Sequence, residues 1–215
     1  LLPIGTIYDP FVGRALEPWS FGMYAGGQSI LVGTPSGVSL APEGGAHQSI
    51  VTPSIGIGQP GCTAWEPAFG RDLEWTLLHA LGRLGRAGGE SAYFRLSTRP
   101  IGQALAGDPP RDLVLAGGYA LRVAAGRPRI TLVGMGAVLP ELLDAADTIG
   151  AGVDVICVTS ADLLFRALRA RAGLDQASGA ILDQLFPPDR AAPIVTVLDG
   201  IRTRSPSWRL STPRR

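Results

Sequence analysis

The strongest constraint on the fold lies in residues 111–200, where continuous apolar runs alternate with helical periods. The runs are ITLVGMGAV at 130–138, VDVICV at 153–158 and IVTVL at 194–198. Between them Leu139, Leu142, Leu143 and Ala146 recur at helical spacing, and a second helical stretch covers 162–171. A strand without polar alternation is buried on both faces, and strands returned one after another by helices pair in parallel. The order strand, helix, strand, helix, strand therefore predicts an α/β unit with a mostly parallel sheet.

The preceding hundred residues are punctuated by Gly and Pro. The short runs LLPIGTIY, SILVG at 29–33 and IVTPSIGI at 50–57 read as buried strands between loops, and the segment 93–96 (YFRL) as another. Leu73, Leu77, Leu78, Leu81 and Leu84 are expected on one helical face, with Asp72 and Glu74 in the first turn and Gly85 in a C-cap position. The stretch GQALAGDPP at 102–110 has a linker's composition. It sets a boundary between one unit at 1–108 and a second at 111–200.

Nineteen basic against 18 acidic residues leave a net charge of +1, too little for a nucleic-acid surface. Cys62 and Cys157 have neither CxxC spacing nor a histidine cluster, which argues against a zinc site or a disulfide scaffold and makes a reducing, cytoplasmic compartment the expectation. No apolar run reaches the roughly 18 residues of a membrane span. The chain contains no lysine and no asparagine, as a GC-rich gene would produce, and it starts with Leu1 inside an apolar run. A fragment is the expected reading.

Three places carry chemistry. Gly134-Met135-Gly136 follows a strand and opens a helix, but a dinucleotide fingerprint would need a third glycine where Leu139 stands, which favours a plain tight turn. In PEGGAHQ, at 42–48, a glycine pair allows close backbone approach to a ligand, and His47 follows Glu43 by four residues. An imidazole there suits proton transfer, and a surface histidine in a glycine loop is the equally open alternative. His79, the other histidine, falls inside a helix and reads as structural. Tyr8 and Phe11 bracket Asp9-Pro10 at a strand end, where two aromatics either pack in the core or form a platform for a planar heteroaromatic ring.

Taken in order, TIYDPFVGRAL, PEGGAHQS, PGCTAWEPAFGRDLEWTLLHAL, ITLVGMGAVLPELLDAAD and VDVICVTSADLLFRAL resemble the C-terminal half of thiamine-diphosphate enzymes of the transketolase superfamily. Within it the likeness is greatest to the homodimeric E1 component of pyruvate dehydrogenase. The resemblance implies the later part of a pyrimidine-binding domain followed by a transketolase-type C-terminal domain. By position it assigns Tyr8 and Phe11 to the clasp on the cofactor's aminopyrimidine, His47 to proton handling near the thiazolium, and Glu43 to an acidic loop beside the substrate channel. Gln48 and Ser49 lead straight into Ile50, as in transketolases proper, where E1 enzymes carry a longer His-rich stretch.

Further expectations follow from the resemblance. The glutamate that holds the pyrimidine lies upstream of this sequence in the family pattern, and a GDG-type motif for magnesium and diphosphate is absent from it. The chain alone is therefore expected to be inactive. Its parent is expected to be a homodimer that decarboxylates pyruvate or a similar 2-oxo acid and passes the product to a lipoyl acyltransferase (E2) partner. A transketolase acting on sugar phosphates is the rival, with Arg95 and Arg99 as phosphate candidates, and a non-catalytic truncated module is the non-enzymatic one. Residues 201–215 are arginine-rich and without period where the family continues a helix. A one-base shift of a GC-rich back-translation turns them into HPHTLAFLA, so an out-of-frame tail is expected, with a natural disordered tail as the alternative.

Overall fold

The computed structural model describes residues 2–39 and 47–200. Their strands form two four-stranded sheets. In the first, β1 (Ile4–Ile7), β2 (Ile30–Gly33), β3 (Cys62–Trp65) and β4 (Ser91–Arg95) run parallel in the order β1-β2-β4-β3. β4 is buried at every residue, as expected of a central strand covered on both faces, and it buries the large side chains of Tyr93, Phe94 and Arg95. In the register Gly33 sits beside Arg95.

The segment 50–57 is not a strand. Pro53 has no N–H to give a ladder, and Thr52–Ser54 closes a 3-10 turn. The position beside β4 is taken by β3, which the sequence pattern does not announce. Nor does the pattern announce helix α1 (Val12–Tyr24), whose interior contains Pro18.

Helix α2 (Gly70–Arg83) is the amphipathic helix read from the leucine spacing. Its inward stripe is Leu73, Thr76, Leu77, Ala80, Leu81 and Leu84. Leu78 lies off that stripe and is 55% exposed, because five residues from Leu73 carry it some 140° round the helix at 100° per residue. Gly85 follows the helix at φ +69°, a conformation that favours glycine. The 102–110 stretch is packed rather than free-hanging. Gln103 accepts a hydrogen bond from the Gly70 N–H at 2.7 Å, and Ala106 joins the core beside Phe69 and Val114.

After helix α3 (Arg111–Ala116), the second sheet comprises β5 (Gly118–Arg122), β6 (Ile130–Met135), β7 (Val153–Val158) and β8 (Ile194–Val197) in the order β5-β7-β6-β8. β6 pairs in parallel with β7 and β8, whereas β5 is antiparallel to β7. Helices α4 (Leu139–Ile149), α5 (Ala161–Arg171) and α6 (Ala180–Leu185) cover it. The sequence expectation of a mostly parallel α/β sheet holds.

Polar contacts join the two sheets at the ends of β3 and β7. The Glu66 N–H donates to the Thr159 carbonyl at 2.9 Å, and the Ser160 hydroxyl donates to the Ala64 carbonyl at 2.6 Å. Asp162, fully buried at the start of α5, accepts from the Gly58 N–H at 3.0 Å and pairs with Arg166 at 3.0 Å. Phe69 from the first layer packs with Tyr119 and Leu139 of the second.

Leu84 and Leu78 lie on the two sides of one helix end and give a direct check. Leu84→Ala, a buried truncation, is expected to lower unfolding free energy by about 2–5 kcal/mol in urea titration, and Leu78→Ala by less than about 0.5 kcal/mol. Equal losses would overturn the inward stripe.

Candidate functional site

In parallel α/β sheets the loops beyond the C-terminal strand ends collect functional side chains, and the candidate Tyr8 and Phe11 of this chain follow such a strand end. β1 ends at Ile7, and Asp9–Phe11 turns tightly before α1, with Pro10 in its first turn. This short turn puts Tyr8 and Phe11 on one side, their ring centroids 5.9 Å apart and tilted by 36°. His47 comes to the same place from another loop, edge-on to Tyr8 at 5.6 Å and 87°. The structure therefore brings together three of the four candidate residues. Phe11 is 42% exposed and His47 is exposed, so the cluster opens to solvent and is no core packing. Glu43 and the segment 201–215 lie outside the described residues.

Under the rings lies a buried charge cluster that sequence reading does not single out. Asp9, between the two aromatics, is wholly buried. It accepts a hydrogen bond from the Tyr93 hydroxyl at 2.6 Å and another from the Thr52 hydroxyl at 2.6 Å, and it pairs with Arg95 at 3.4 Å. Gly33 makes the fit possible, since a Cβ there would run into the Asp9 carboxylate and the Tyr93 hydroxyl.

Arg95, at the end of β4 and 2% exposed, spends its whole guanidinium on the protein. Nε donates to Thr52 Oγ1 at 3.0 Å and Nη1 to Glu66 at 2.6 Å. Nη2 donates to the Ser49 carbonyl at 3.1 Å, to its hydroxyl at 3.3 Å and to the Asp199 carbonyl at 2.6 Å. As a phosphate candidate Arg95 is thus corrected: it is enclosed and already paired. Arg99 is 36% exposed and ion-paired with Glu141. A charged residue inside an apolar run such as YFRL was the available signal of a buried pair, because a lone buried guanidinium would be too costly.

Glu66 follows β3 and lies against Gly136, where a Cβ would meet its carboxylate; Gly136 has φ +67°. The Gly134-Met135-Gly136 turn is therefore filled by Glu66 on one side and by Leu142 at Gly134 on the other, a tight turn without room for a phosphate. The cavity lined by Glu66, Arg95, Tyr93 and Met135 measures about 20 Å³, far too small for a cofactor ring.

His79 stacks edge-on with Trp65 at 6.2 Å, and partial burial lowers its pKa, consistent with a structural position. Both thiols are free and buried, and burial pushes them up, which makes them poor nucleophiles. Among the described residues no group of three or more His, Cys, Asp and Glu is placed to hold a metal ion, and no helix is long and apolar enough to cross a membrane.

Two carboxylates share one guanidinium, and they share it unequally. Burial pushes the Glu66 carboxyl from its ordinary 4.5 up to about 7, with Arg95 opposing but not cancelling the rise. Between those values folded Glu66 keeps a proton that the unfolded chain has released. The native state then binds more protons, and the Glu66 contribution to stability falls as pH rises through that window. Stability measured by chemical denaturation is expected to decline from about pH 5 to about pH 7, and Glu66→Gln to make that slope shallower. An unchanged slope in the variant would rule out titration of Glu66 there.

No protein-family model and no curated protein matches the chain. Its fold is that of transketolases. A transketolase mutant from Pichia stipitis, in complex with fructose 6-phosphate, superposes with a TM-score of 0.72 at 20% identity, covering 90% of this chain and 26% of its own. Transketolase from Leishmania mexicana gives 0.76 at 17% identity, with 94% and 28% covered. A split-gene transketolase described as an inactive beta4 tetramer gives 0.55 at 17% identity, with 93% and 67% covered. The chain thus spans about a quarter of the length of the first two.

Proposed function

We propose that this chain carries the pyrimidine side of a thiamine-diphosphate site, in an E1-type enzyme that decarboxylates a 2-oxo acid such as pyruvate before acyl transfer to a lipoyl group. The observation that carries the reading is the convergence of Tyr8, Phe11 and His47 at strand ends of a transketolase-type fold. An exposed aromatic face beside a tilted second ring suits a planar aminopyrimidine, so the residues present fit that part of the cofactor. When bound, thiamine diphosphate supplies the nucleophilic carbon and the electron sink for cleavage next to a carbonyl.

The chain's own residues have separable tasks. Phe11 and Tyr8 bind and orient the ring. The His47 imidazole, held edge-on to Tyr8, takes and returns a proton at a ring nitrogen. Glu43 is assigned to the loop beside the substrate channel. Magnesium and the diphosphate are assigned to a second domain, across a homodimer interface, and a lipoyl acyltransferase (E2) is the proposed acceptor partner.

A transketolase activity on sugar phosphates is the second reading, favoured by the nature of the structural neighbours. The two candidate arginines weigh against it. Gripping a phosphate dianion needs unspent guanidinium donors, whereas Arg95 is enclosed and Arg99 is paired with Glu141. Product analysis separates the two. With the diphosphate-binding half supplied, turnover is expected with pyruvate and a lipoyl acceptor; two-carbon transfer from xylulose 5-phosphate instead would establish the second reading.

In the completed enzyme, His47→Ala is expected to lower kcat by about 10²-fold or more and to leave thiamine diphosphate affinity nearly unchanged. Phe11→Ala should do the reverse, weakening cofactor binding by about tenfold, since one aromatic contact is worth on the order of 1 kcal/mol. Equal loss of both quantities in His47→Ala would assign that residue a structural role.

A further inference from the structure

Tyr8 and Phe11 belong to the turn after β1, whereas His47 arrives on a separate loop, and among the described residues a polar network underneath joins the two. Asp9 is the residue between the two aromatics, and its carboxylate is fixed by Arg95, Thr52 and Tyr93. Ser49 is two residues after His47, and both its carbonyl and its hydroxyl accept from Nη2 of the same arginine. Thr52, five residues after His47, accepts from Arg95 Nε and donates to Asp9, which closes the circuit. Nη1 of the guanidinium is anchored on Glu66, and Nη2 donates to the Asp199 carbonyl after β8 as well as to Ser49.

We infer that Arg95 is a positioning residue which sets the aromatic turn and the histidine loop together, so that one guanidinium fixes the separation between the ring clasp and the proton-handling group. It touches neither cofactor nor substrate. The inference rests on the proposed thiamine-diphosphate site for its functional meaning, but the coupling itself is a property of the chain alone. Arg suits the task because its planar fork directs donors to several acceptors at fixed angles, which a lysine ammonium on a flexible stem does not do. Coupling of this kind acts as a unit, since moving the guanidinium shifts both loops at once.

The coupling has a signature that needs no cofactor. His47 lies at the edge of the Tyr8 ring, so its imidazole C–H proton resonance carries a ring-current displacement that Tyr8→Leu defines by removing it. In the isolated chain, Arg95→Lys is expected to collapse most of that displacement and to raise amide hydrogen exchange at residues 8–11 and 47–52 together by about tenfold or more. Should the arginine variant not fold, Thr52→Val serves in its place. It deletes the hydroxyl that links Asp9 to Arg95 and leaves every charge in position, and the same joint change is expected at smaller size. A folded Arg95→Lys or Thr52→Val protein with wild-type His47 resonance, or with exchange raised in only one of the two loops, would overturn the coupling.

In the completed enzyme a second readout separates positioning from plain stability. Arg95→Lys is expected to weaken thiamine diphosphate binding and to lower kcat at saturating cofactor, each by about tenfold, where Phe11→Ala moves mainly the first and His47→Ala mainly the second. A variant that loses only thermal stability, with normal kcat per bound cofactor, would reduce Arg95 to a structural residue. If the chain binds no thiamine diphosphate at all while the joint resonance and exchange changes are present, the cofactor reading fails and the coupling stands.

Discussion

The burial of one guanidinium is the constraint on which the rest of the structure depends. Arg95 is inside the protein, and a cation there is tolerable only with opposite charge and a full set of acceptors. Asp9 and Glu66 supply the charge; Thr52, Ser49 and the Asp199 carbonyl supply the remaining acceptors. These residues come from the turn after β1, the end of β3, the loop beyond His47 and the turn after β8. Removing a partner from such a pair commonly costs about 3–5 kcal/mol, because the other charge is then stranded. The cluster therefore pins four loops and both sheets at one point.

Several local features are consequences of that point. Gly33 ends β2 without a side chain because the Asp9 carboxylate and the Tyr93 hydroxyl occupy the space. Gly136, just after β6, has a positive φ, and the Glu66 carboxylate occupies the space a Cβ there would need. Asp199 turns its carboxylate the other way, accepting from the Ser39 N–H at 2.9 Å and its hydroxyl at 2.6 Å, while its carbonyl faces Arg95. Loops at strand ends are ordinarily the variable part of an α/β protein. Here a buried ionic floor lies beneath the half-buried ring of Tyr8 and the exposed ring of Phe11, so a mobile-loop description would not suit them.

The parallel part of the second sheet, β6 to β8, was legible in the sequence because these strands are continuous apolar runs and the helices between them keep their period. VDVICV could be little else, and β7 is buried at all its residues. The first sheet was legible only in part. CTAW is too short to show a period, Pro18 hides α1, and IVTPSIGI has a strand's hydropathy but a proline where the ladder needs a donor. β5 was missed because GYALR mixes Gly and Arg with its apolar residues. Tyr8 and Phe11 were singled out by their bracketing of a strand end, His47 by its glycine loop, and all three by resemblance. Asp9, Glu66 and the true place of Arg95 were not, since an ion pair formed across 29 or 86 residues leaves no local pattern.

The unequal sharing of Arg95 has a consequence for any chemistry above it. Asp9 accepts from two hydroxyls in addition to facing the guanidinium, while the hydrogen bond that supports Glu66 comes from Arg95 Nη1 alone among those described. Burial brings the Glu66 carboxyl up to about 7. A group that titrates in the neutral range thus lies in the floor of the site, on the arginine that ties the histidine loop down. A change of charge there alters the grip on Ser49 and Thr52, and hence where the His47 imidazole sits. Glu66, the acidic partner of this arginine, therefore has to be fixed by substitution before a limb near neutral pH in a rate profile is given to any group above it.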